Sequence, residues 1–157
     1  MGEYKAFDQA LFDENDTPAR WVLKWAFEDL WGLRLEDNPD IYGPDLMGFR
    51  GQDFCSFVEL EVKHNWKGEH FPFEEIHFLG RKRKFLNNEE IIFVFLNSDL
   101  SAFIWFTSDA IKSGKLIQKR TKLTQKEDFI SLDVNMGRKV WIGDQYARNA
   151  RITTLGA

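Results

Sequence analysis

The stretch FCSFVELEVK, residues 54–63, alternates apolar and polar side chains over its second half. That period of two predicts a strand. Val58, Leu60 and Val62 then share one face, and Phe57, Glu59, Glu61 and Lys63 share the other. The first face suits a core. The second sets carboxylates and an ammonium side by side, because residues i and i+2 of a strand stand roughly 7 Å apart.

The flanking sequence places this strand. Upstream, DTPARWVLKWAFEDLWG, 16–32, reads as a helix. Asp16 or Thr17 can cap its free N–H groups, Pro18 fits the first turn and Gly32 can end it. Trp21, Val22, Trp25 and Leu30 form its apolar stripe. YGPDLMGF, 42–49, follows with turn punctuation, and Asp45 comes directly after a Gly-Pro corner, sixteen residues before Glu61. Downstream, FPFEEIHFLGRKRKFLNN, 71–88, reads two ways. It is either a helix interrupted at Gly80 or a short strand, EEIHF, followed by a basic helical turn. EEIIFVFLN, 89–97, is a continuous apolar run of the kind found in buried central strands. NSDL then turns into SAFIWFTSDAI, 101–111, which predicts a hairpin. GKLIQKRTKL and KVWIGDQYARNARI read as later strands or a basic C-terminal element. The order predicts an α/β fold with a mixed sheet flanked by helices.

Length and composition bound the class. A chain of 157 residues that is 43% hydrophobic predicts one globular domain, residues 1–157. The single cysteine, Cys55, excludes an internal disulfide framework and fits a reducing compartment, where a buried thiol is the expectation. The N-terminal residues lack the basic region and apolar run of a signal peptide, and no segment approaches the roughly 18 apolar residues of a membrane span. These features predict a cytoplasmic protein without a membrane partner. The net charge of −4 hides an asymmetry. Residues 1–62 hold 5 Lys/Arg against 14 Asp/Glu, a net of −9, and residues 63–157 hold 16 against 11, a net of +5. An acidic part that can hold divalent cations beside a basic part that can hold phosphate suits a metal-dependent enzyme acting on nucleic acid. Ordinary solvated charge is the competing reading.

Mg²⁺ takes oxygen ligands in an octahedron and keeps several waters. Asp45, Glu61 and the backbone carbonyl of Val62 can supply such a site. Lys63 would then stand where a water meets a phosphate, able to orient the one or stabilise charge on the other. The competing reading is a surface strand with a cross-strand salt bridge. E-x-K alone is weak, for Glu3-Tyr4-Lys5 repeats it in the N-terminal tail. Glu59 shares the face of Glu61 and is expected to point to solvent rather than to a second metal. His64, His70 and His77 match no closed zinc pattern. Trp21, Trp25 and Trp31 are expected in the core, and Trp66 against a base or at a cleft rim. Arg81, Lys82, Arg83 and Lys84 are four contiguous cations, which predicts contact with a phosphate backbone. Lys112, Lys115, Lys119, Arg120 and Lys122 form a second basic region, and Arg138, Lys139, Arg148 and Arg151 a third.

Pro44-Asp45 followed by Glu61-Val62-Lys63 resembles the signature of the PD-(D/E)XK nuclease superfamily, which includes restriction endonucleases, Holliday-junction resolvases and phage recombination nucleases. The resemblance covers residues 16–110 as architecture and a handful of positions as motif. It implies a restriction-endonuclease-like core: a helix, a three-stranded meander, a helix and a further strand. It implies that Asp45 and Glu61 bind Mg²⁺, for which Mn²⁺ can substitute, and that Lys63 assists the attacking water. It also implies an acidic residue from the first helix, with Glu28 the candidate inside it and Glu14 and Asp16 just before it. The activity implied is structure-directed endonucleolytic cleavage of DNA, leaving 5′-phosphate and 3′-hydroxyl ends. No Gly-rich phosphate loop is present, so ATP is not expected. A homodimer would serve if two strands are cut. The alternatives are a catalytically inactive nucleic-acid-binding module of the same fold and a phage-type protein-interaction factor.

Overall fold

The computed structural model describes residues 9–88, 90–119 and 127–154. Helix α1, Gln9–Trp31, leads into an antiparallel meander of β1 (Arg34–Asp37), β2 (Leu46–Arg50) and β3 (Asp53–Lys63). Next come β4 (Glu75–Leu79), a 3-10 segment (Gly80–Asn87), β5 (Ile91–Asn97) and β6 (Ala102–Thr107). Short helix α2 (Ser108–Lys112), β7 (Lys115–Lys119), β8 (Glu127–Asp133), β9 (Arg138–Trp141) and α3 (Gln145–Thr154) complete the described chain.

The main sheet has the order β1-β2-β3-β5-β6-β9 and the second sheet the order β4-β8-β7. All pairs are antiparallel except β3 and β5, which run parallel with Glu61 opposite Phe95. The predicted mixed α/β architecture is therefore present, with one difference. Helices α1 and α3 cover one face of the main sheet, and the three-stranded sheet covers much of the other.

Two apolar clusters follow from this layering. Val22, Leu23, Ala26 and Phe27 of α1 pack with Val58, Leu60, Val94 and Leu96. On the opposite face, Phe93, Phe95, Ile104 and Phe106 pack with Ile76, Phe78, Ile130 and Leu132. Strand β5 sends side chains into both clusters, which is why IIFVFL is apolar throughout. Strand β3 does so less completely. Its Val58 and Leu60 enter the first cluster, while its other face holds Phe57 and then three charges.

Helix α1 departs from its expected start. It begins at Gln9 and carries Pro18 inside it. A cap preference is worth about 1 kcal/mol, which is little beside the burial of five side chains at 19, 22, 23, 26 and 27, each at most 1% exposed. Gly32 ends the helix as expected. Its φ is +62°, its N–H donates to Glu28 and the Leu33 N–H donates to Phe27. The ambiguous 71–88 stretch is the second of its two readings, a strand followed by a basic helical turn. Trp21 and Trp25 pack against the first cluster, but Trp31 is 37% exposed, so it is not a core residue.

Candidate active site

Strand β2 stops pairing with β3 at the register Leu46↔Val58. Beyond it, β3 keeps one neighbour, β5, through Lys63↔Asn97. The chain before Leu46 leaves the sheet at the Gly-Pro corner. Asn38 fixes that corner by donating Nδ2–H to the Pro44 carbonyl at 2.9 Å, and its backbone N–H reaches the Asp45 carbonyl at 3.1 Å. Asp45 then replaces the missing strand. Its Oδ2 accepts the Leu60 N–H at 2.9 Å, satisfying a backbone donor that β2 no longer serves. Its Oδ1 accepts from Arg20 Nη2 at 3.1 Å, and its own N–H donates to Glu59 Oε1 at 3.2 Å.

The charged face of β3 continues past that corner. Lys63 Nζ lies 2.7 Å from Glu61 Oε2, sits 5.1 Å above the Phe95 ring and donates to the His77 carbonyl at 2.5 Å. Phe95 and β4 thus hold the ammonium from two sides. The other oxygen, Glu61 Oε1, is buried with no hydrogen-bond partner. Unsatisfied buried acceptors are rare and call for an explanation.

Glu59 departs from expectation. It is 7% exposed, not turned to solvent. The 3-10 segment closes over it, and Lys82 Nζ reaches Glu59 Oε2 at 2.9 Å and Glu61 Oε1 at 3.9 Å. Burial pushes the Glu59 carboxyl up to about 7 against the pull of Lys82, and the nearby Asp45 charge adds to the rise. For Lys82, burial opposes the ammonium form, but the Glu59 and Glu61 carboxylates outweigh it and hold its pKa above the usual lysine value.

The four cations of 81–84 are therefore not equivalent. Lys82 turns inward onto the acidic group. Arg83 donates Nε–H to the Gly80 carbonyl at 3.0 Å and lies 3.9 Å from Asp128. Arg81 and Lys84 are exposed. Of the residues drawn from the first helix, Glu28 is exposed and stands eight residues past Arg20, about 12 Å further along the axis. The structure brings Arg20, a cation, to Asp45 instead. The side chains of Glu14 and Asp16, and residues Arg120 and Lys122, lie outside the described residues. Sequence reading missed the roles of Arg20 and Lys82. For Lys82 a signal existed, since two carboxylates on a strand face that the next element must cover need a buried cation.

Trp66 is fully buried against Phe71 and so is not at a cleft rim. Cys55 is free and partly buried. The His77 ring sits beside Lys119 Nζ at 2.8 Å, and its pKa is lowered by burial and by the charges of Lys119 and Lys63.

The arrangement can be tested against a divalent cation. Among the described residues no group of three or more His, Cys, Asp or Glu converges to hold a metal. The ligand set anticipated from sequence is different: two carboxylates and a carbonyl. Asp45 retains acceptor capacity beyond its bonds to Leu60 and Arg20, and Glu61 offers a buried oxygen without a hydrogen bond. The Phe57 N–H bonds towards β5 and the Leu60 N–H towards Asp45. Strand alternation therefore turns the Val62 carbonyl to the side that β2 has vacated. All three groups fit a hard cation that prefers oxygen ligands and retains water.

No protein-family model matches this chain, and no curated protein matches it. Solved structures do. A Holliday junction resolvase from Archaeoglobus fulgidus, Hjc, is similar at 13% identity with a TM-score of 0.46, over 85% of this chain and 95% of that one. A fusellovirus nuclease is similar at 12% identity with a TM-score of 0.43, over 98% of each chain. No helix among the described residues is long and apolar enough to cross a membrane.

Proposed function

We propose that this protein is a divalent-metal-dependent nuclease that hydrolyses phosphodiester bonds in DNA. What supports the reading is the Asp45 carboxylate on the Leu60 N–H where β2 ends, with Lys63 paired to Glu61 on the charged face of β3 and one Glu61 oxygen buried and unbonded. Asp45, Glu61 and Val62 would hold the cation, with Mg²⁺ the natural occupant and Mn²⁺ a substitute. When bound, such an ion polarises a phosphoryl oxygen and lowers the pKa of a bound water.

The chain's own groups do the rest. Arg20 and the Leu60 N–H fix the Asp45 carboxylate in one orientation. Phe95 and the His77 carbonyl hold the Lys63 ammonium over Glu61, so it meets the substrate already ordered. From there it can donate to the attacking oxygen or to a phosphoryl oxygen as negative charge develops. The exposed Arg81 and Lys84 lie on the segment that covers the site and suit a phosphate backbone, which supports a nucleic-acid substrate.

One observation favours a second reading. Lys82 neutralises the acidic group, as it would in a catalytically inactive DNA-binding module of this fold. A panel of junction, flap, nicked, linear and single-stranded DNAs separates the two. With Mg²⁺ the chain should cut at least one of these, most readily a branched form, and EDTA or Glu61→Gln should stop it. Retention of DNA without cutting under all conditions would establish the binding module instead.

A further inference from the structure

Lys82 is the cation the fold already provides for the site. Its side chain is 18% exposed, and its ammonium contacts Glu59 at 2.9 Å and Glu61 Oε1 at 3.9 Å. That Glu61 oxygen is the buried acceptor without a hydrogen bond, the same atom offered to the metal. A divalent cation on Glu61 and the Lys82 ammonium would be like charges competing for one oxygen. The segment bearing Lys82 is also unusual. It is an eight-residue 3-10 helix, and such helices rarely exceed four residues because their hydrogen-bond geometry is poor. Its first residue is pinned, for a Cβ on Gly80 would lie 2.7 Å from the Asp128 carbonyl oxygen. Its Arg81 and Lys84 face outward.

Resting on the metal-site reading, we propose that Lys82 is a tethered counter-ion that a divalent cation must displace, and that the displaced ammonium joins Arg81 and Lys84 in gripping DNA phosphate. In the metal-free protein Lys82 keeps Glu59 and Glu61 from standing as uncompensated buried charges. On metal binding the neutralising charge comes from the ion, and Lys82 is released to the surface of its own segment. Metal loading and backbone binding are then coupled through one side chain. DNA that holds the released ammonium should tighten metal binding, and metal should tighten DNA binding by the same factor.

Two measurements test this. The first uses the unaltered full chain. A lysine-acetylating reagent is applied with and without Mg²⁺, and each lysine is quantified by peptide mass spectrometry. Lys82 should be protected without metal and should label several-fold faster with it, while exposed Lys112 and Lys115 keep constant rates. The second is calorimetric titration of Mn²⁺ into the full chain and into Lys82→Met, with circular dichroism to verify folding. Removing the competitor should tighten Mn²⁺ binding by about tenfold, since apparent affinity scales with the fraction of competent molecules. Unchanged Lys82 labelling at a saturating Mg²⁺ concentration overturns the proposal, whether or not Lys82→Met folds. Equal Mn²⁺ affinity in the two folded chains overturns it as well, and leaves the metal site standing. If neither chain binds Mn²⁺, the metal-site reading itself fails and this proposal falls with it.

Discussion

The two ends of β3 are the same strand in different company. Over residues 53–58 it pairs with β2 along its length, and from Phe57 it is also held by Glu90 and β5 on the other side. Over residues 59–63 β5 continues but β2 has gone, and a carboxylate stands in for its carbonyls. The first end is structural; Val58 there is fully buried under α1. The second end carries a chain of contacts, from Asp45 to Glu59, Glu59 to Lys82, Lys82 to Glu61 and Glu61 to Lys63. A strand that outlasts its neighbour exposes backbone groups inside a rigid frame, and that is where a ligand can be held without loosening the fold.

The largest expected effect tests this division directly. Glu61→Gln should reduce Mg²⁺-dependent cleavage to background while shifting the urea midpoint little. Val58→Ala should do the reverse, leaving cleavage intact at low temperature and costing about 2 kcal/mol of stability. Parallel measurement of cleavage rate and urea unfolding on both variants decides it. If Glu61→Gln cuts DNA at the parent rate, the second end is only a salt-bridged surface. Asp45→Asn should lose cleavage too, but with a stability cost, because an amide must turn an N–H towards either Arg20 or the Leu60 N–H.

Next in size is Lys63→Met, which keeps the stem against Phe95 and removes the ammonium. The single-turnover rate should fall by orders of magnitude. Binding in the presence of Ca²⁺, followed by fluorescence anisotropy, should weaken only slightly, since one phosphate contact is a small share of the total. Equal losses in rate and binding would make Lys63 a docking residue.

The comparison also separates what the sequence made legible from what it did not. The period of two across Val58–Lys63 was enough to place three charges on one face, and Asp45 was singled out by its Gly-Pro corner. Those signals are local, so one chain carries them. The fate of Glu59 was not legible, because its burial depends on the 3-10 segment more than twenty residues later. Arg20 on Asp45 spans 25 residues, and Lys82 looked like its three neighbours until the segment's twist turned it inward. The second sheet was hidden for a similar reason. Strand β4 pairs with β8, fifty or more residues away, and no turn signal connects them.

Glu59 supplies a smaller effect, read as stability against pH in the metal-free protein. Its carboxyl titrates near 7 in the folded chain, chiefly through burial, against an ordinary value of 4.5. The folded state therefore holds a proton that the unfolded state has lost. The stability this represents is fully present below about 4.5 and is lost as pH rises towards 7, for a total of about 3 kcal/mol. Asp37 acts oppositely and in a lower window. Lys24 and Arg20 outweigh its burial and depress its pKa, so its contribution is present above the ordinary aspartate range and lost as pH falls. Urea midpoints across pH 4.5–7.5 should slope downward for the parent and lie flatter for Glu59→Gln. The same slope in both would mean that other groups control this window.

The smallest effect concerns the covering segment, where one inward cation stands among exposed ones. Arg81 and Lys84 are exposed, whereas Lys82 is ion-paired to Glu59. On duplex DNA each lost phosphate contact should lower the slope of log affinity against log salt by roughly 0.9. The double variant Arg81→Gln/Lys84→Gln should thus lose about 1.8 from that slope, on every DNA sequence alike, if both cations touch phosphate. In chelator, where Lys82 is held by the carboxylates, Lys82→Gln should leave the slope near the parent value. Fluorescence anisotropy over a salt series with the three chains gives the comparison. A double variant with the parent slope would assign the phosphate grip to other basic residues, such as Arg138, Lys139 and Arg148. A fall of about 0.9 for Lys82→Gln in chelator would mean that its ammonium already reaches DNA from its place between Glu59 and Glu61. The inward and outward cations of the segment would then be one surface rather than two.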